Sequence, residues 1–163
     1  MLEFSNIYAD CKQLVWKLAY KYVYTLEDRE DLFQEIFLNI HKALPRFRNE
    51  AAVSTWVYKI AVNTSINYVK KRNRYKALKE MVSNFRLPHA DAVDIITDAD
   101  ADKFKPLEKL NPQQRMILLL AEVEEKKMDE IAEIMKLPVG TVKSNLFRAK
   151  EIIKKEVNEN GSV

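Results

Sequence analysis

Six residues spaced three or four apart, Trp56, Lys59, Asn63, Asn67, Lys70 and Arg74, run in one line along a stretch with helical periodicity. An indole can stack on a base, amides can bond exposed base edges, and cations follow phosphates, so this line suits single-stranded nucleic acid. It continues into the basic run Lys70-Lys71-Arg72-Asn73-Arg74. A plainer reading stays open from pattern alone, with Trp56 in the core and the lysines as ordinary surface. A second group lies near the other end of the chain: Lys143, Ser144, Phe147 and Arg148 point away from the apolar side of their helix. In a major groove Phe147 could meet a thymine methyl, Arg148 or Lys143 a guanine, and Ser144 a base or phosphate. Lys154 and Lys155, further along, read as phosphate neutralisers or as a solvated face. None of this makes or breaks a covalent bond. Cys11, His41 and His89 lack metal-ligand spacing, and neither a nucleophile with its base nor a phosphate loop is present. Neither an enzyme nor a metal or other cofactor is expected.

Helices must position both groups. Over roughly Ser5 to Tyr24, Ile7, Leu14, Val15, Leu18 and Val23 recur at helical spacing. Thr25-Leu26-Glu27-Asp28 has the form of a capping box and opens a second helix that runs to about Leu44, ahead of Pro45. Its core stripe is Leu32, Phe33, Ile36, Phe37 and Ile40, and the opposite face carries Asp31, Gln34, Glu35, Leu38, His41 and Lys42. That face is either solvated or a partner surface; Leu38, apolar among polar neighbours, tilts the reading toward a partner. A third helix starts near Ala52, packs through Val53, Val57, Ile60, Ala61, Thr64 and Tyr68, and extends past Arg74.

Asn111-Pro112-Gln113-Gln114 is a further helix start, with an Asn cap, Pro at the first position and Gln at the third. Met128 to Met135 predicts a short amphipathic helix with Ile131, Ala132 and Met135 inward. The break Lys136-Leu137-Pro138-Val139-Gly140 follows, then a longer helix from Thr141 to about Val157, with Val142, Leu146, Ala149 and Ile153 inward. Short helix, tight break and longer basic helix make the helix-turn-helix pattern.

Composition bounds the fold. With 163 residues, 47% of them apolar and only two glycines, the chain has the content of a globular all-α protein. Sandwiches, barrels and dinucleotide-binding sheets need more glycine at their turns and phosphate loops. The formal charge of +3 hides an uneven distribution. Residues 1–90 carry 15 basic and 9 acidic groups, residues 91–102 five aspartates and no base, and residues 103–163 12 basic and 10 acidic groups. This reads as two small helical domains, 1–82 and 106–163, joined by an acidic linker, 83–105. One cysteine permits no internal disulfide, and neither a signal pattern nor a bilayer-length apolar run is present. A soluble cytoplasmic protein is expected, with no membrane insertion.

These motifs resemble the extracytoplasmic-function group of bacterial sigma factors. EDREDLFQEIFLNIHKALPRFRNEAAVSTWVYKIAVNTSINYVKKR is similar to sigma region two. LNPQQRMILLLAEVEEKKMDEIAEIMKLPVGTVKSNLFRAKEIIKK is similar to region four, including PVGTVKSNLFRA. The resemblance implies a factor that binds core RNA polymerase and promoter DNA, duplex and melted. Asp31, Gln34, Glu35 and Leu38 would meet the polymerase, with Leu32 structural. Arg46, Phe47, Arg48 and Asn49, with the start of the third helix, would capture a flipped base of the minus-ten element. Trp56, Lys59, Asn63, Asn67, Lys70 and Arg74 would hold the melted strand. Thr141, Lys143, Ser144, Phe147 and Arg148 would read the minus-thirty-five element, and the acidic linker would pass through the polymerase near the RNA path. An anti-sigma factor is a further implied partner.

Two departures accompany the resemblance. Related chains usually have Gly and then a Ser cap ahead of the first helix of the region-four motif, where this chain has Glu125 and Lys127. A lost cap costs about 1 kcal/mol, so that helix is expected to fray unless Asp129 helps. Two rival readings stand beside the resemblance: a dimeric helix-turn-helix regulator that needs no polymerase, and a helical adaptor that binds RNA or protein.

Overall fold

The computed structural model describes residues 1–83 and 104–161, in which six α-helices form an all-α fold with no strand among the described residues. Helix α1 spans Phe4–Tyr22 and buries Ile7, Cys11, Val15, Leu18, Ala19 and Tyr22 at three- and four-residue spacing. It stops short of the expected Tyr24 because Val23 turns to extended backbone (φ −124, ψ 156). The carbonyl of Val23 accepts a hydrogen bond of 3.1 Å from Arg29 Nε, a cation placed where the helix dipole favours one.

Helix α2 spans Leu26–Ala43, and the Thr25 hydroxyl oxygen accepts from the Asp28 N–H at 3.1 Å, as its capping residues predicted. The reciprocal half of the box is missing. Asp28 instead accepts from the Thr25 hydroxyl (2.9 Å), from the Tyr68 hydroxyl (2.9 Å) and from Arg72 Nη1, so its carboxylate joins α2 to the next helix. After α2 a single turn, Leu44–Arg46, contains Pro45 and ends the run.

Helix α3 spans Val53–Ser83, 31 residues, or about 46 Å of helix. It buries Val57, Ala61, Val62, Thr64, Ser65, Ile66 and Val69 against α1 and α2. Its last three turns leave the bundle, and Tyr75, Leu78, Met81 and Val82 are exposed there. An aromatic seam of Tyr8, Trp16, Phe33 and Phe37 closes the opposite side between α1 and α2, with centroid separations of 4.8 to 6.1 Å.

The second module opens with a turn, Lys105–Lys109, and α4, Pro112–Leu118, which continues as a wider π-helical turn through Val123. Here the full capping box forms: Gln114 N–H donates to Asn111 Oδ1 at 2.8 Å, and Asn111 N–H to Gln114 Oε1 at 3.3 Å. Helix α5 spans Met128–Met135, as its periodicity predicted, and α6 spans Val139–Asn160. Ile131 and Val142 are fully buried, as are Met116, Ile117 and Leu120.

Two expectations need correction. Lys127 does stand uncapped by any side chain of its own, but Glu130, not Asp129, accepts its N–H at 2.9 Å. Gly140 was read as part of the break; it lies within the first turn of α6, and a Cβ there would meet nothing within 4 Å. The residue that takes the left-handed conformation closing α5 is Lys136, at φ 54. The expected linker, 83–105, falls almost wholly outside the described residues.

The two modules touch. Arg115 of α4 is 2% exposed, and its Nη1 donates to the carbonyl of Tyr22 at the end of α1 at 3.2 Å. Tyr22 Oη donates in return to the carbonyl of Pro112 at 2.8 Å.

Candidate nucleic-acid interface

The line from Trp56 to Arg74 lies along α3 as its spacing predicted, but its members differ in freedom. Trp56 is half-buried, with its ring tilted 39° to that of Phe47 at a centroid distance of 4.6 Å. It is thus neither a core residue nor a loose surface one: Phe47, from the loop after α2, supports one part of the indole and leaves the rest open. Lys59 reaches Glu133 of α5 at 2.9 Å, and its ammonium holds the Glu133 carboxyl below the usual carboxylate range. Asn63 Nδ2 donates to the Lys59 carbonyl at 2.9 Å, one turn earlier on the same helix. Asn67, Lys70 and Arg74 are exposed.

The loop before α3 presents Arg46, Arg48 and Asn49 to solvent, with Asn49 in the left-handed region at φ 56, which a short polar side chain tolerates. On α2, Asp31, Gln34 and Leu38 are exposed, Leu38 by 59%, while Glu35 is partly covered. Leu32, by contrast, is fully buried.

On α6 the outward group is bare. Lys143, Ser144 and Arg148 are exposed and Phe147 is exposed by 67%. Thr141 is half-buried; its carbonyl accepts from the Ser144 hydroxyl at 3.1 Å and from Asn145 Nδ2 at 2.9 Å. Ser144 therefore faces outward as an acceptor, with its proton already directed into the helix. Lys154 and Lys155 are exposed two turns on. Among the described residues no cluster of His, Cys, Asp and Glu could hold a metal ion, and no helix is long and apolar enough to cross a membrane.

Sequence reading missed Arg115 and Tyr22. Arg115 opens a strongly apolar run, and the carbonyl it reaches is 93 residues away in the chain. The guanidinium lies between donations to the carbonyls of Leu107 (3.1 Å) and Tyr22 and sits near the rings of Tyr22 and Tyr24 (5.3 and 5.6 Å). Burial keeps both phenols protonated, Tyr24 being pushed up to about 12 against the opposing pull of Arg115.

A three-helix module with a basic aromatic line, followed by a helix-turn-helix module, defines a two-part nucleic-acid-binding protein. Residues 7–75 match the family model for sigma-70 region 2, and residues 107–153 that for sigma-70 region 4. The RNA polymerase sigma-H factor of Pseudomonas aeruginosa is 31% identical over 149 residues, covering 85% of this chain and 77% of that protein. The ECF RNA polymerase sigma-E factor of Escherichia coli K12 is 33% identical over 141 residues, covering 80% and 74%. Among solved structures, the sigma factor RpoE bound to the anti-sigma factor NepR, from Bartonella quintana, shares the fold at a TM-score of 0.66 and 19% identity, over 95% of this chain and 96% of that one. CnrH in complex with the cytosolic domain of CnrY aligns at a TM-score of 0.64 and 18% identity, over 96% and 88%. The chain belongs to the extracytoplasmic-function sigma factors. As a member it is a regulatory initiation factor that binds RNA polymerase and directs promoter-specific transcription.

Proposed function

We propose that the two modules divide promoter recognition between duplex and melted DNA. Residues 106–163 place the N-terminal half of α6 in the major groove of the minus-thirty-five element, where Lys143, Phe147 and Arg148 read base edges and Thr141 and Ser144 position the backbone. Residues 1–82 hold the melted minus-ten strand: the loop Arg46 to Asn49 captures a flipped base beside Trp56, and Lys59, Asn63, Asn67, Lys70 and Arg74 follow the strand. Unstacking costs a few kcal/mol per base, and stacking on a supported indole recovers about 1–3 kcal/mol of it. Asp31, Gln34, Glu35 and Leu38 dock on the core polymerase. The chain itself catalyses no reaction and uses no cofactor, and it acts in the cytoplasm, where an anti-sigma factor holds it in reserve. The solved structure of the sigma factor RpoE with the anti-sigma factor NepR supports that last partner.

The observation that carries this reading is the bare, basic-aromatic face of α6, with Phe147 exposed by 67% on the second helix of a helix-turn-helix. Run-off transcription with core polymerase on a randomised promoter library tests it. Enrichment of two separated elements is expected, and Asn63→Ala should leave occupancy intact while shrinking the melted region seen by permanganate footprinting. A normal bubble at normal occupancy in that variant would remove Asn63 from strand trapping.

A further inference from the structure

The basic run that ends the α3 line has one member turned the other way. Lys70, Lys71, Asn73 and Arg74 are exposed, whereas the Arg72 side chain is 17% accessible and its Nη1 meets Oδ2 of Asp28, itself 18% accessible. At about 100° per residue, Arg72 lies about 160° around α3 from both Lys70 and Arg74, so it sits across the helix from the line. Tyr68, one turn earlier on the same side, donates its hydroxyl to Asp28 Oδ1 at 2.9 Å. Burial, and then this hydrogen bond, raise the Tyr68 phenol above its ordinary range, so it stays a donor. Thr25 completes the set by donating to Asp28 Oδ2 at 2.9 Å. The carboxylate sits in the first turn of α2, where the helix dipole favours a negative charge.

The place of this contact matters as much as its strength. The buried residues of α3 end at Val69, and Lys70 and Arg74 lie beyond the last of them. Asp28 ties that stretch to α2 through Arg72. Its charge also offsets that of Arg72, which therefore has little to offer a phosphate. Breaking the pair would leave one partly covered charge without its partner, whereas an exposed lysine loses only its own contact. We propose that Arg72 and Tyr68 are positioning residues: acting through Asp28, they set where Lys70 and Arg74 stand along the melted strand, and Arg72 itself does not touch DNA. This rests on the strand-trapping reading above and narrows it, removing one cation of the run from the DNA-binding set.

The test uses the full chain with core polymerase, on a promoter selected from the randomised library. Occupancy is read by gel shift, the melted region by permanganate, and affinity for a single-stranded minus-ten oligonucleotide across a salt series. Lys70→Gln, which removes a phosphate contact in this reading, should flatten the salt slope by about 0.7. Arg72→Gln and Asp28→Asn should each lower the open fraction about tenfold at unchanged occupancy, and leave that slope as in the parent. The double variant should lose no more than either single, because both remove one interaction. Tyr68→Phe, which keeps the ring and removes only the hydroxyl, should lose about threefold. A slope flattened in Arg72→Gln as in Lys70→Gln, or losses that add in the double variant, would put Arg72 on the strand and overturn the proposal. A normal open fraction in both singles would overturn it too. So would occupancy falling in step with the open fraction, which marks a contact that only keeps the module folded. If Lys70→Gln and Arg74→Gln themselves leave slope and melting unchanged, the strand reading fails and takes this proposal with it, an outcome the Arg72 variants alone cannot mimic.

Discussion

Helices α3 and α6 carry the two faces proposed for nucleic acid, yet they are prepared in different ways. On α3 the key groups already have protein partners: Trp56 rests on Phe47, Asn63 bonds its own helix, and Lys59 pairs with Glu133. On α6, Lys143, Phe147 and Arg148 stand open to solvent. The difference suits the two forms of DNA proposed for them. A duplex is rigid and offers its base edges in fixed positions, so a stiff helix with a bare face suffices to read it. A melted strand is flexible, and a platform held in place beforehand loses less freedom when a base stacks on it.

Substitution should separate the two modes. Trp56→Ala removes both the platform and its contact with Phe47, so strand binding should weaken by about 1–3 kcal/mol and thermal stability should fall as well. Arg148→Ala should cost about 1–3 kcal/mol of discrimination at one upstream base pair, with stability unchanged within about 0.5 kcal/mol. Melting curves alongside binding to single-base promoter variants check both. Equal stability losses in the two variants would erase the contrast.

A smaller effect is expected at Glu125, which lies before α5 at φ 53, where a side chain is strained and glycine is not. Glu125→Gly should raise stability by about 1 kcal/mol in urea unfolding and leave base preference at α6 as it was. A shift in preference would mean that the reading face depends on the strain ahead of it. The smallest change is Gly140→Ala in the first turn of α6. Its Cβ meets nothing in the free protein, so stability should rise by about 0.5 kcal/mol. Weaker duplex binding in the same variant would show that a DNA backbone comes close at that point.

Local physics was legible in the sequence. The caps at Thr25 and Asn111, the span of α5 and the inward Val142 and Ala149 each follow from residue type and spacing within a few turns, and each is found in the structure. The α3 line was also readable because helical periodicity alone brings its members together. What periodicity could not reveal were partners from elsewhere in the chain. Asp28 was read as half of a capping box, but Tyr68 and Arg72, 40 and 44 residues on, occupy its oxygens. Lys59 was read as free for phosphate, yet its partner Glu133 is 74 residues away. Gly140 was misplaced for a different reason: glycine was taken as a sign of a break, whereas Pro138 starts the helix and Lys136 makes the left-handed turn.

Asp28 has one more consequence. Helix α2 carries the face proposed for polymerase, and α3 the line proposed for the strand; a single carboxylate near the start of α2 grips α3 through Tyr68 and Arg72. The N-terminal module therefore works as a rigid angle bracket with its corner pinned. In the proposed promoter complex, a load that the strand placed on one arm would pass through this corner to whatever grips the other, giving polymerase and melted DNA one mechanical frame.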